Sequence, residues 1–275
     1  MRRTKALKKM LGLPYYLWSL FFILIPLGMV FYYGLTDRSG SLTFENIAAI
    51  VQAEHAKALF YALFLALIAT AICLLLAYPL ALILNTMRIS THSFTILIFI
   101  LPMWMNFLLR TIAWQTLLEK TGVINGILSF LHLPPIHVIN TPHAIILGMV
   151  YNFLPFMVLP IYNSISKIDR SIVNAAEDLG ANGPQILLRI YLPLSVPGII
   201  SGITMVFIPA LTTFVISKLL GGSKILLIGN VIEEEFTLTS NWNLGSGLSI
   251  VLMLFIIFNM ILSAIFDKEG ESNYL

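Results

Sequence analysis

Six stretches of this chain contain no Asp, Glu, Lys or Arg: Met10–Thr36, Ala58–Met87, Ile89–Leu109, Thr121–Ser166, Ile190–Ser217 and Phe236–Phe266. Each can hold the roughly 20 apolar residues that cross a hydrocarbon core. Of 275 residues, 58% are hydrophobic and 11% charged, whereas soluble domains run to about 45–50% apolar and about 25% charged. So few charges cannot cover so much apolar surface in water, and the solvent for most of this chain is lipid. The pattern predicts an all-α integral membrane protein with six transmembrane helices. The fourth stretch exceeds one span. Its first half is broken by Gly122, Asn125, Gly126, Pro134, Pro135, Asn140 and Pro142, which places the helix at about His143–Ile161.

Arg2, Arg3, Lys5, Lys8 and Lys9 precede the first apolar run. That run is long and ends in bulky Val30-Phe31-Tyr32-Tyr33 rather than small residues, so it reads as an uncleaved first helix instead of a secretory signal. Lys and Arg accumulate on cytoplasmic flanks, which sets both termini and the segment Lys167–Pro193 in the cytoplasm. The expected organisation is a basic cytoplasmic leader over 1–9, a six-helix transmembrane domain over 10–266 and a cytoplasmic tail over 267–275. Thr111–Lys120 and Ile124–Leu131 have helical spacing suited to the outer interface, and a short surface helix is expected near Leu42–Ile47. The net charge of +3 follows from this topology and gives no reason to invoke nucleic acid. The single cysteine, Cys73, has no partner in the chain for a disulfide.

Between the fourth and fifth stretches lies an island of small, polar and turn-forming residues, Asn174 to Pro193. Asp169 or Ser171 can cap a helix starting near Arg170, and Gly180 stands where a left-handed cap would end it. Ile168, Ile172, Ala175, Ala176 and Leu179 share one face of that helix, while Arg170, Asn174 and Asp178 line the other. Asn182-Gly183-Pro184 turns the chain, and Pro184 suits the first position of a second helix. Pro193 and Pro197 perturb the start of the next span. Ala175, Ala176 and Gly180 allow close approach to another protein, so the elbow could transmit force from a soluble motor. An ordinary inter-helix loop packed under the bundle has the same spacing.

Ala175-Ala176, Gly180 and Ile190-Tyr191-Leu192-Pro193 resemble the signature loop of ATP-binding-cassette importer permeases, with its pattern Glu-Ala-Ala, Gly and Ile-x-Leu-Pro. Asn174 stands where the family has Glu, and Glu177 or Asp178 is the nearest substitute charge. The blocks Leu101–Arg110, Leu154–Pro160, Ala175–Ala181, Leu219–Gly222 and Leu227–Ile232 are similar to spermidine/putrescine importer permeases. The resemblance implies a type I permease fold in the cell membrane and a coupling loop made by Asn174, Ala175, Ala176, Glu177, Asp178, Gly180, Ile190 and Pro193. It also implies a cytoplasmic ABC ATPase dimer, a second permease subunit and an extracytoplasmic polyamine-binding protein as partners. The substrate alternatives are ferric iron, an oxyanion or a sugar, and a secondary transporter or channel is the reading from another class.

A pathway for polycations calls for aromatic faces, carbonyls and carboxylates. Trp104, Asn106, Tyr151, Asn152 and the acidic run Glu233-Glu234-Glu235 are the candidates, with Trp114 a further aromatic. Interfacial anchoring accounts equally for the aromatics, and a solvated face for the acids. Arg110 is expected to snorkel to the outer interface or close a gate against a backbone carbonyl. The five histidines lack metal-ligand spacing, and no phosphate-binding glycine loop is present. The chain is therefore expected to need no cofactor and to catalyse nothing itself.

Overall fold

A computed structural model describes residues 14–86 and 103–272. Its regular elements are helices: α1 Pro14–Gly34, α2 Glu45–Ala48, α3 Ala53–Thr86, α4 Phe107–Leu118, α5 Val123–Phe130 and α6 Pro142–Ile165. Then follow α7 Arg170–Asp178, α8 Gly183–Leu194, α9 Val196–Thr212, α10 Val215–Leu220, α11 Ile228–Thr237 and α12 Trp242–Ser272. Among the described residues α1, α3, α6 and α12 are each long and apolar enough to cross a membrane, and α8 with α9 makes a fifth, bent by 65°. The third charge-free stretch, Ile89–Leu109, lies mostly outside the described residues, as does the leader over 1–9.

The spans differ from the expected ones where a capping side chain outweighs hydropathy. Asn106, inside the third stretch, has ψ 127° and accepts bonds from the Leu108 and Leu109 N–H groups, so α4 starts afresh there. The fourth span runs Pro142–Ile165 rather than His143–Ile161. Thr141 caps it, Pro142 occupies a first-turn position where no N–H is needed, and its last turn continues past Ile161. Within the sixth charge-free stretch the span begins at Trp242, because Phe236 lies in the last turn of α11 and Ser240 turns the chain at φ 53°.

The chain divides into two compact units, one of residues 14–56 with Val231–Phe255, the other of Lys57–Asn230 with the residues from Ile256. In the first, the open carbonyls at the end of α1 are closed by two asparagines. Asn243 Nδ2 donates to Tyr33 O at 3.1 Å and Thr36 O at 2.7 Å, and Asn46 Nδ2 donates to Thr36 O at 2.9 Å. A helix end lacks such partners within itself. Trp242 packs against both Tyr33 and Phe236.

In the second unit α3 turns small residues inward. Ala62, Ala66, Ala69, Cys73, Ala77 and Ala81 form a fully buried stripe along α3, whereas Phe60, Leu67 and Leu75 stand outward. Lipid solvates large apolar side chains as well as a protein interior does, so small residues gather where helices meet. The same rule joins α6 to α9. A Cβ on Gly198 would lie 2.7 Å from Pro160 O, and one on Gly202 2.7 Å from Met157 Sδ, so these glycines set the helix spacing. A buried polar knot closes the far end of α9: Asn230 Nδ2 donates to Phe214 O at 3.0 Å, and Ser217 Oγ donates to Asn230 Oδ1.

Candidate functional site

The segment from Ser166 to Ser195 folds into two short helices at an elbow, and side-chain hydrogen bonds set each boundary. Asp169 caps α7 by accepting from the Ser171 N–H at 2.9 Å, which resolves the choice between Asp169 and Ser171. The Ser171 backbone and hydroxyl bonds hold its carboxyl below the ordinary value of 3.8. At the other end Gly180 has φ +84°. Ala181 N–H reaches Ala176 O at 2.9 Å and Gly180 N–H reaches Glu177 O at 2.8 Å, the paired bonds of a Schellman cap. Asn182 and Gln185 then cap the second helix reciprocally, at 2.9 and 3.0 Å. Asn-x-x-Gln is the capping-box spacing, a signal present in the sequence and not used in its reading. Gly183 takes the first helical position and Pro184 the second, one place later than expected.

This rigidity is local, and the elbow's outer surface is open. Leu179 is 89% exposed and Ile172 47%. Asn174, Ala175, Glu177 and Asp178 are also exposed, while Ala176 is half-buried. Between the two helices lies a recess of about 350 Å³, bordered by Ala176, Leu179, Gly180, Ile186, Arg189 and Ile190. A Cβ on Gly180 would meet nothing within 4 Å, so only its backbone angle demands glycine within this chain. The structure thus brings Ala176, Gly180 and Ile190 together at one recess. It leaves Asn174, Glu177 and Asp178 on the open side, and places Pro193 in the last turn of α8.

The elbow is tied to the bundle at its bend. Ser195 is fully buried between α8 and α9. Its hydroxyl donates to Leu192 O at 3.1 Å and lies 3.0 Å from the Tyr78 hydroxyl on α3, which donates to it. Ser164 of α6 donates to Leu194 O at 3.4 Å. Tyr78 of α3 and Ser164 of α6 thus both hydrogen-bond the bend between α8 and α9.

The pathway candidates are dispersed. Trp104 is 76% exposed, and Asn106 is occupied as the cap of α4. Asn152 is 1% exposed and bonded to Gly148 O, so it faces the chain's own core rather than an open route. Tyr151 is 39% exposed, with the Trp114 ring edge-on at 5.1 Å. Arg110 is 6% exposed, so it does not snorkel, and its guanidinium lies 5.9 Å from the centre of the Tyr151 ring. Glu233, Glu234 and Glu235 are consecutive on α11, where adjacent side chains point about 100° apart. They present no single acidic face. Among the described residues no three His, Cys, Asp or Glu side chains gather as a metal site.

Residues 88–269 match the family described as the binding-protein-dependent transport system inner membrane component. The spermidine/putrescine transport system permease protein PotB of Haemophilus influenzae is 40% identical over 256 residues, covering 88% of each chain. The protein of that name in Escherichia coli K12 is 37% identical over 245 residues, covering 86% of this chain and 89% of its own. A chain in the crystal structure of a bacterial alginate ABC transporter, solved in complex with alginate pentasaccharide-bound periplasmic protein, shares the fold. It superposes with a TM-score of 0.77 at 18% identity, covering 97% of this chain and 96% of that one.

Proposed function

This chain belongs to the family of inner membrane components of binding-protein-dependent transport systems, and on that premise we propose that it is a permease subunit of an ATP-driven polyamine importer. With a second permease it forms the translocation pathway, and a binding protein delivers spermidine or putrescine to its outer mouth. The elbow around α7 faces the cytoplasm and docks into an ATPase dimer, whose closure on ATP moves α8 and, through Ser195, the spans behind it.

The observation that carries the coupling role is the exposed, doubly capped elbow with Leu179 at its tip. A large apolar side chain standing free on a rigid turn contributes little to its own fold. It stabilises a complex once another surface covers it, by about 1.5–3 kcal/mol on full burial. The substrate class rests on the likeness to permeases named for spermidine and putrescine over nearly nine-tenths of the chain. Uptake of labelled spermidine by proteoliposomes holding the whole transporter tests it. Unlabelled putrescine and spermidine should compete, whereas ferric complexes, phosphate and maltose should not. Competition by one of the latter alone would replace the polyamine reading.

A further inference from the structure

A buried arginine beside a half-open aromatic ring stands out in the second unit. Arg110 and Trp114 lie one turn apart on α4, and both reach Tyr151 on α6. The guanidinium lies over the ring of Tyr151, while the Trp114 ring stands at 68° to the same ring, with centroids 5.1 Å apart. Arg110 is almost wholly enclosed, yet 39% of Tyr151 remains open. Enclosing a permanent cation within protein costs solvation energy, and in a transport protein a charge kept at that cost marks a candidate part of the substrate route. The face of an aromatic ring attracts any cation by its quadrupole, and a primary ammonium binds it by the same electrostatics as a guanidinium.

We propose that the Tyr151 ring, edged by Trp114, is an alkylammonium site of the pathway, and that Arg110 is its resident cation, displaced when substrate enters. The proposal rests on the polyamine reading above. An ammonium arriving at Tyr151 meets a like charge already in place. Binding requires Arg110 to swing aside, and its return expels the ammonium. The arginine thereby keeps substrate from lodging on an aromatic face that would otherwise hold it. A neutral solute has no means of displacing it.

Two measurements on the purified full transporter test this: equilibrium binding of labelled spermidine, and spermidine uptake in proteoliposomes. R110Q should bind spermidine several-fold more tightly and turn over several-fold more slowly. Y151L should bind several-fold more weakly, Y151F should stay near the parent, and R110Q combined with Y151L should show none of the gain. R110K, which keeps a cation at the ring, should resemble the parent. Because R110Q could impair assembly, a variant retaining Trp114 as its sole tryptophan supplies a second readout. Spermidine should shift its emission, and Y151L should abolish the shift. Unchanged or weaker binding by an assembled R110Q, or an emission unmoved by spermidine, overturns the proposal while leaving the importer assignment intact. A parent transporter that imports no polyamine overturns both.

Discussion

At Gly180 the chain itself requires only a backbone angle that L-residues avoid, and the open space beside it leaves the lack of a side chain for a docking partner to require. The two demands can be separated. Gly180→Asn keeps a residue that tolerates the left-handed region, so α7 should remain capped and any loss should come from a side chain at the docking surface. Gly180→Val adds backbone strain of about 1–2 kcal/mol and should unwind the turn as well. Both should leave the membrane bundle assembled. Substrate-stimulated ATPase should fall several-fold in the first and further in the second, and normal coupling in Gly180→Asn would show that no partner approaches this spot. The angle was legible because glycine follows a helical run at the capping distance. The openness around it was not, since a sequence does not record which neighbours stand within 4 Å. Arg110 shows the same limit: its hydropathy marks a boundary, and only the approach of α4 to α6 puts it under the chain's own cover.

For helices, the boundaries came from residue types and the interior faces did not. Asp169, Asn182, Thr141 and Asn106 all cap, because short side chains with an oxygen acceptor reach the first free N–H groups. At Asp169 this has a pH consequence. The carboxyl is held below its ordinary value, so its contribution to α7 is present above that ordinary value and is lost as pH falls through the lowered one. Asp169→Ala should fray the first turn of α7 at neutral pH. Asp169→Asn, which keeps an acceptor that does not titrate, should hold the turn through the acid range where the parent loses it. Hydrogen exchange of the 170–178 peptide, corrected for intrinsic rates, reads both. The buried side of α3 was invisible for the opposite reason. Alanine and leucine are both apolar, so the small-residue stripe from Ala62 to Ala81 leaves no polar contrast along the helix.

As a whole molecule, the chain has the parts of half a machine. It carries spans, a bend anchored by Tyr78 and Ser164, and an elbow whose outer face stands exposed among the described residues. Purification in mild detergent should therefore recover an ATPase and a second permease with it, and Leu179→Asp should release the ATPase while retaining the permease partner. Recovery of the chain alone from both preparations would count against the assembly. By itself the sequence determined the solvent, the capped elbow and the family. Charge exclusion, capping residues and motif spacing act over a few residues, and each survives as a local pattern. Tertiary structure alone decided that Asn152 is enclosed and that Arg110 lies on Tyr151. Those outcomes depend on which helix surfaces meet, and in lipid one apolar surface looks like another until the packing is complete.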